Sequence, residues 1–273
     1  MIERQRLAPI TVEFLCDATV PHDMTSAETR TEQHTLSTGH SVELPLECTC
    51  TVAGATFTAT ADRLNELLPT ELTPIRISPR TGLLSLISIE YHVIGEFDPY
   101  NEFAVIIPAA RNPSPNLPIL PFFTGEVGGY VHYLPVTTDA SVALGTELWG
   151  YPKEQADIPI ADSGSTRRTV VRQDGDPFIQ LDVGHTDARR RELTMHSYTV
   201  KDEELVRTRV NISGELAVRP LSQKASYVLG DHPRAAELRS TGLGERPLAR
   251  LYGTELNARV HPGERSETQI EIQ

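Results

Sequence analysis

The sequence predicts one β-rich α+β domain whose strands close, or nearly close, into a central antiparallel barrel or cone with a few short peripheral helices. Many short runs alternate apolar and polar residues and are rich in β-branched and aromatic types. Three short helix patterns lie between these runs, and no internal repeat or linker divides the chain. With 39% hydrophobic residues, the 273 residues can bury a substantial core.

The strand patterns follow one another along most of the chain. Residues 83–94 form a run long and apolar enough to be a central strand. Asp174-Gly175 between two β-rich runs predicts a tight hairpin. In chain order, the predicted strands are residues 10–15, 51–60, 75–78, 83–94, 103–108, 128–135, 168–173, 177–183, 192–200, 208–213, 249–252 and 256–261.

The helices are predicted from capping residues. Residues 62–68 carry leucines on one face and end at a proline. Residues 138–145 begin at a threonine cap and are expected to end at Gly145. Residues 231–238 have a proline near the first turn.

Two segments predict loops. Residues 21–40 are rich in Thr, Ser, Glu and His and are expected to form a long exposed loop. The proline-rich run at 112–121 is expected to be stiff and extended. We expect residues 1–45 to be an N-terminal extension that packs on or extends the core, and residues 46–273 to form the barrel domain.

Charge and composition exclude several classes of function. The formal net charge of −12 and pI of about 5.2 give an acidic surface that repels phosphate backbones, so no nucleic-acid partner is expected. No apolar run reaches the roughly 18 residues of a membrane span. The first six residues lack the apolar core of a signal peptide, which favours the cytoplasm.

The cysteines favour a structural role. Cys16, Cys48 and Cys50 are an odd number at poor disulfide spacing. Cys48 and Cys50 are better explained by a strand with both thiols on one face than by a metal site. Since the sequence has no metal-ligand cluster and no phosphate-binding glycine loop, no metal and no external cofactor are expected.

The stretch at 145–154 carries the candidate chemistry. It contains Lys153, one of three lysines in the chain, beside aromatic residues and a proline. A lysine with the ordinary pKa of about 10.4 is almost fully protonated at pH 7, and burial in an apolar cavity favours the neutral, nucleophilic amine. The alternative is that Lys153 is a solvated residue after a turn.

The run 147–153, Glu-Leu-Trp-Gly-Tyr-Pro-Lys, resembles the Schiff-base lysine motif of the acetoacetate decarboxylase superfamily. Tyr100-Asn-Glu102 and the strand at 129–132 have family-like spacing, as does the helix at 62–68. The resemblance covers roughly residues 50–262. Acetoacetate decarboxylase is itself a standard example of a lysine nucleophile with a lowered pKa.

The resemblance implies a barrel with its site in the interior and a chemistry that needs no cofactor. Lys153 would attack a substrate ketone and form an imine that withdraws electrons from a neighbouring bond. Glu102 would act as general acid and base or orient the substrate. The remaining predicted substrate-site residues are Phe103, Trp149 and Tyr151 as walls, Glu147 as a support of the lysine loop, and Arg111.

Three departures from the family pattern concern the substrate. Glu154 stands where decarboxylases carry a second lysine, and Ile87 stands where one site glutamate is expected. No Arg or Lys occurs between Arg30 and Arg63, so the usual arginine anchor for a carboxylate is missing. The arginines that could replace it are Arg76, Arg80 and Arg111.

Three functions therefore remain open. The first is a decarboxylase-like lyase that acts on a small keto acid or ketone. The second is a superfamily member with aldolase or dehydratase chemistry, and the third is a non-catalytic protein of the same fold that binds a small molecule. The family resemblance also favours a homo-oligomer.

Overall fold

The computed structural model describes residues 31–111 and 127–265. The predicted strand at 10–15 and the proline-rich run at 112–121 lie outside the described residues. Among the described residues, no helix combines the length and the apolar character needed to cross a membrane.

Strands dominate the described part of the chain, and helices are few and short. The helices are α1 (Ala61–Glu66), α2 (Asp139–Trp149) and α3 (Pro233–Ser240). The strands are β1 (Glu32–Thr35), β2 (Ser41–Leu44), β3 (Leu46–Thr60), β4 (Leu72–Pro74), β5 (Arg76–Ser78), β6 (Thr81–Ile94), β7 (Tyr100–Arg111), β8 (Val127–Val136), β9 (Lys153–Gln155), β10 (Ile160–Ser163), β11 (Thr166–Gln173), β12 (Asp176–Gly184), β13 (Arg189–Lys201), β14 (Glu204–Pro220), β15 (Ala225–Leu229) and β16 (Pro247–Arg265).

Seven strands close into a barrel in the order β3, β6, β7, β8, β13, β14 and β16, and β16 pairs with β3 again. All neighbours are antiparallel except β8 and β13, which pair in parallel at Tyr130 and Tyr198. Further along β8, Leu134 pairs with Lys153 of β9. Strand β9 therefore fills the seam where β8 and β13 separate. The predicted mostly β, α+β barrel is confirmed.

A second sheet, in the order β10, β11, β12 and β15, covers part of the outside of the barrel. Phe57 and Phe103 of the barrel share a buried cluster with Phe178 of β12. The Thr169 hydroxyl on β11 donates to Ser88 on β6 at 2.7 Å. This packing gives the barrel strands an apolar outer face as well as an inner one, which explains their nearly continuous hydrophobic runs.

Helix α2 and the β1–β2 hairpin close one end of the barrel. Leu36 and Val42 of the hairpin are buried with Leu144 and Trp149 of the helix. Residues 32–35 were expected to belong to a long exposed loop, but they form the first strand of this hairpin. The expectation was wrong because the buried side chains around the turn are few and widely spaced in a polar sequence.

Helix α2 does not end at Gly145, as predicted. It continues to Trp149, and Gly150 is the cap residue in the left-handed region at φ 68°. The predicted start is correct, since the Thr138 side chain accepts a hydrogen bond from the Ser141 N–H at 3.2 Å. Gly145 thus lies inside the helix, where a glycine costs stability and requires another explanation.

The predicted strands at 249–252 and 256–261 are one strand, β16. It stays continuous because Glu255 adopts a φ of 51° at an irregularity in the pairing of β16 with β3. The Asp174-Gly175 hairpin is confirmed between β11 and β12.

We expect His196 on β13 to make the stability depend on pH. Burial and the neighbouring Arg207 guanidinium lower the pKa of His196 to about 4. Between that value and the ordinary pKa of 6.5, the unfolded chain binds a proton that the folded chain does not. The free energy of unfolding should therefore fall as the pH falls from 6.5 towards 4.

Urea unfolding of wild type and His196→Gln at pH 7.0, 5.5 and 4.5 measures this effect. The variant should lose less stability on acidification than the wild type. Thr194→Ala, a non-titrating change on the same strand, should keep the wild-type pH dependence. Equal slopes for wild type and His196→Gln would refute the assignment.

Candidate active site

Lys153 lies in the barrel wall with its side chain inside. The side chain is 4% exposed, and its Nζ lies 2.8 Å from Oε2 of Glu102, whose side chain is 6% exposed. A lysine and a carboxylate at this distance, both almost out of contact with water, form a buried ion pair. The structure therefore brings together the two residues that were predicted to be catalytic.

The loop between α2 and β9 fixes the direction of the lysine. After the left-handed turn at Gly150, the Tyr151 N–H donates to the Gly145 carbonyl at 3.1 Å. A Cβ atom at Gly145 would lie 2.5 Å from both Cδ and Cε of Lys153. A glycine is thus required at this helix position because the lysine side chain passes directly over its backbone.

Two tyrosines surround the pair. The Lys153 Nζ donates to Tyr100 Oη at 3.3 Å, and Tyr91 Oη donates to Oε1 of Glu102 at 3.5 Å. Burial raises the pKa of both tyrosines well above the usual value, and the Glu102 charge adds to this. Both phenols therefore keep their protons and can serve as hydrogen-bond donors to a bound molecule.

Cys48 and Cys50 face the same interior region, as the strand pattern predicted. Both thiols are buried, and Cys48 Sγ donates to the Ala258 carbonyl at 3.6 Å. Burial, followed by the Glu102 charge, raises the pKa of Cys48 to about 12. The pKa of Cys50 is also raised by burial. In the residues that the structure describes, no group of three or more His, Cys, Asp or Glu could hold a metal ion.

Tyr151 lies on the inner side next to the lysine. Its hydroxyl is 2.7 Å from Ser197 Oγ on β13, and burial raises its pKa to about 12. The ring packs against a small apolar cluster of barrel residues. That cluster contains Ala104, Val131, Leu134, Ile87 and Ile106.

Ile87 faces this cluster, so the position of the expected second glutamate is apolar. Ile87 pairs with Ala104, two residues beyond Glu102 on β7. Among the described residues of β6 and β7 next to the lysine, Glu102 therefore supplies a carboxylate, and Ile87 is apolar.

Glu154 points away from the lysine. Its carboxylate accepts hydrogen bonds from Arg234 of α3 at 2.8 Å and from Gln173 of β11. Neighbouring residues of a strand face opposite sides, so an inward Lys153 requires an outward Glu154. Arg234 and Gln173 help to lower the pKa of Glu154 despite its partial burial.

Trp149 and Glu147 support the lysine loop from outside the interior. The Trp149 Nε1 donates to the His261 carbonyl at 2.8 Å within the cluster that closes this end of the barrel. The Glu147 carboxylate accepts the Ser37 N–H at 3.0 Å, which ties α2 to the β1–β2 hairpin.

Phe103 and Arg111 are not brought to the lysine. Phe103 follows the inward Glu102 on β7 and so faces outward, where its ring centroid is 6.3 Å from that of Phe178. Arg111 lies nine residues beyond Glu102 on the same strand, roughly 30 Å away at the usual rise per residue. It therefore cannot anchor a substrate group next to the lysine.

Three residues of the site were not assigned roles in the sequence analysis: Tyr91, Tyr100 and Gly145. Tyr100 alternates with Glu102 and Tyr91 pairs directly with Tyr100, so the pairing of the two strands was the missing information. Gly145 was interpreted as a helix end because glycine is common there.

One family model matches most of the chain. The family model for acetoacetate decarboxylase (ADC) matches residues 28–249. The match begins within the segment expected to be an N-terminal extension. "Acetoacetate decarboxylase 3" of Mesorhizobium japonicum is 45% identical over 42 residues, 15% of this chain and 16% of the relative. The chain thus aligns with only a small part of that relative's length.

Solved structures share the fold at low sequence identity. Acetoacetate decarboxylase from Legionella pneumophila has a TM-score of 0.60 and 14% identity, covering 81% of this chain and 87% of that one. An acetoacetate decarboxylase-like enzyme from Sphingomonas wittichii RW1 has a TM-score of 0.54 and 17% identity, covering 87% and 100%. The enduracididine biosynthesis enzyme MppR, complexed with the condensation product of pyruvate and imidazole 4-carboxaldehyde, has a TM-score of 0.56 and 10% identity, covering 81% and 88%.

The thiols inside the barrel should resist modification. At pH 8 a thiol with a pKa of about 12 is roughly 0.01% thiolate, and the buried sulfur is also shielded from reagent. In a Cys16→Ser variant, Ellman's reagent should react with Cys48 and Cys50 in denaturant but scarcely in the native protein. Rapid modification of the native protein at pH 8 would contradict the inward orientation of the Cys48 and Cys50 side chains on β3.

Proposed function

The chain belongs to the acetoacetate decarboxylase family, and we propose that it is a lyase that forms a Schiff base between Lys153 and a ketone or keto acid. One observation carries the proposal: the buried Lys153 amine has a carboxylate, that of Glu102, 2.8 Å away. A solvated lysine, the alternative interpretation of the sequence, would have no reason to be inside a barrel.

The first step is the transfer of a proton. An ammonium group has no free electron pair, so the Lys153 amine must lose its proton before it attacks a carbonyl carbon. Glu102 is within hydrogen-bond reach of that proton and can accept it. Movement of one proton inside the pair creates no new net charge in the low-dielectric interior, which keeps the cost of the step small.

The second step is the formation of the imine. The amine nitrogen bonds to the carbonyl carbon, and the carbonyl oxygen takes up protons and leaves as water. Glu102 can return its proton to that oxygen, and the Tyr100 phenol, 3.3 Å from Nζ, can donate a hydrogen bond to it. The product is a protonated imine that carries one positive charge.

The third step breaks a carbon–carbon bond. In a β-keto acid the electron pair of the bond to the carboxylate flows into the protonated imine, which releases CO₂ and leaves an enamine. Protonation of the enamine carbon and addition of water then regenerate the ketone and the free amine. No external cofactor is needed, since the imine itself accepts the electrons.

The same imine also permits aldol or dehydration chemistry, and the choice depends on the substrate. MppR, a structural neighbour, was solved with a condensation product of pyruvate and an aldehyde. Ile87 stands in place of a glutamate, and Arg111, one of the arginines predicted to replace the family anchor for a carboxylate, lies roughly 30 Å from Glu102 along β7. These features favour a keto compound other than acetoacetate.

Reductive trapping tests the imine. The protein is incubated with one compound at a time from a panel of keto acids, ketones and aldehydes, and sodium borohydride is added to each mixture. Mass spectrometry of the digested protein should find the reduced adduct on Lys153 and not on Lys201 or Lys224. Ligand binding without any adduct would instead indicate a non-catalytic binding protein.

Replacement of the proton acceptor should slow trapping. Glu102→Gln keeps the shape of the side chain but removes the base, so the rate of adduct formation should fall roughly 100- to 10,000-fold. Glu154→Gln is the matched control, because this carboxylate is adjacent to Lys153 in the sequence but faces α3. Equal effects of the two substitutions would refute the role of Glu102.

Gly145→Ala should separate helix stability from reactivity. Alanine is favoured over glycine by about 1 kcal/mol in a helix interior, yet its Cβ would overlap Cδ and Cε of Lys153. We expect an unchanged circular dichroism spectrum and at least about tenfold slower trapping, because the amine is displaced from Glu102. Thr146→Ser, at the exposed neighbouring position, keeps the hydroxyl that donates to the Tyr151 carbonyl and should trap at the wild-type rate.

A further inference from the structure

Arg191 on β13 faces the interior of the barrel. The pairing of β13 with β14 is uninterrupted from Arg189 to Lys201, so residues separated by an even number share a face. Ser197 on this strand meets the inward Tyr151. Leu193 packs in an interior cluster with Tyr91. Arg191 therefore faces inward with them, further from the lysine.

No partner for this guanidinium is found within residues 31–111 and 127–265. Arg191 is half-buried, and its Nε is fully buried without a hydrogen-bond acceptor. Its neighbour Arg190 faces the outer side of the barrel and pairs with Glu215 of β14. Arg167 and Arg250 also have an unpaired Nε, but both pair through their terminal nitrogens. A guanidinium on the inner face without such a pair can bind the anionic group of a ligand.

The inner surface of the barrel between Arg191 and Lys153 carries apolar side chains. Leu193 pairs with Ile212, and Ile89 pairs with Val52, all on the inner face. These four side chains belong to the cluster that also contains Tyr91 and are only partly buried. They can therefore contact a hydrocarbon chain that runs along the interior.

The spacing along β13 favours a molecule longer than a short keto acid. Arg191 lies six residues from Ser197, or roughly 20 Å along the strand, and Ser197 contacts Tyr151 in the lysine loop. In a β-keto acid, one carbon separates the carbonyl carbon from the carboxylate carbon. The extended Arg191 side chain covers only part of the length to Ser197, so a molecule that contacts Arg191 and also reaches the lysine end of the interior needs several carbons between its two groups.

We propose that Arg191 binds the distal anionic group of a keto acid whose carbonyl and carboxylate are separated by an apolar chain of several carbons. The flat guanidinium pairs with a carboxylate through two hydrogen bonds, and Leu193 and Ile212 contact the chain. The inference rests on the proposed imine chemistry, because the carbonyl end must reach Lys153. Arg191 would then select for substrates with a carboxylate, a role that the missing arginine upstream of the first helix has in decarboxylases of the family.

The first experiment compares a homologous series of straight-chain keto acids with their primary amides. The readout is the concentration that gives half-maximal borohydride trapping on Lys153. In wild type, longer keto acids should trap at roughly 10- to 100-fold lower concentrations than their amides. Arg191→Met should abolish this preference, and Arg191→Lys should restore part of it.

Arg190→Met is the matched control, since this arginine is adjacent on the strand but faces outward. It should keep the wild-type preference. If acids and amides are trapped equally well by the wild type, or if Arg191→Met keeps the preference, the assignment of Arg191 is overturned while the imine chemistry stands.

A second measurement does not depend on the imine. Calorimetry measures the binding of saturated straight-chain carboxylates, which lack a carbonyl, to the wild type and to Arg191→Met. Binding that strengthens with chain length and is lost in Arg191→Met supports the anion site even if no keto acid is trapped. Equal binding to both proteins overturns it.

Discussion

The pair formed by Lys153 and Glu102 is the constraint on which the rest of the structure depends. Two charges that are almost completely removed from water are stable only if they remain together, so both strands must hold their register. Strand β9 supplies the lysine through the seam between β8 and β13, and β7 supplies the carboxylate. The barrel thus keeps the Lys153 amine and the Glu102 carboxylate in contact within its interior.

The surrounding elements fix the direction of the lysine. Gly145 removes a side chain from the path of the amine, and the left-handed Gly150 turns the chain from helix to strand. On the outer face, Glu154 is held by Arg234, which anchors the same short strand from the other side. A rotation of β9 that turned Lys153 outward would break the contacts on both faces, so the sequence specifies one orientation.

The sequence predicted the mostly β barrel, and it singled out Lys153 and Glu102, which meet inside the barrel, because alternating patterns and the lysine motif are local. It could not predict which face of each strand is inside. Phe103 was expected in the site but faces outward, because it follows an inward residue on a strand with two buried faces. The inward position of Arg191 was not predicted for the same reason: only its place on the same face of β13 as Ser197 and Leu193 indicates it.

Exchange of the carbonyl oxygen with solvent reports whether Lys153 forms an imine. Formation and hydrolysis of the imine replace the oxygen of a ketone with one from water, without any trapping reagent or bond cleavage. In ¹⁸O-labelled water, the wild-type protein should speed the incorporation of label into a ketone that it binds, and a folded Lys153→Met variant should not. Equal rates of incorporation for the two proteins would contradict the account.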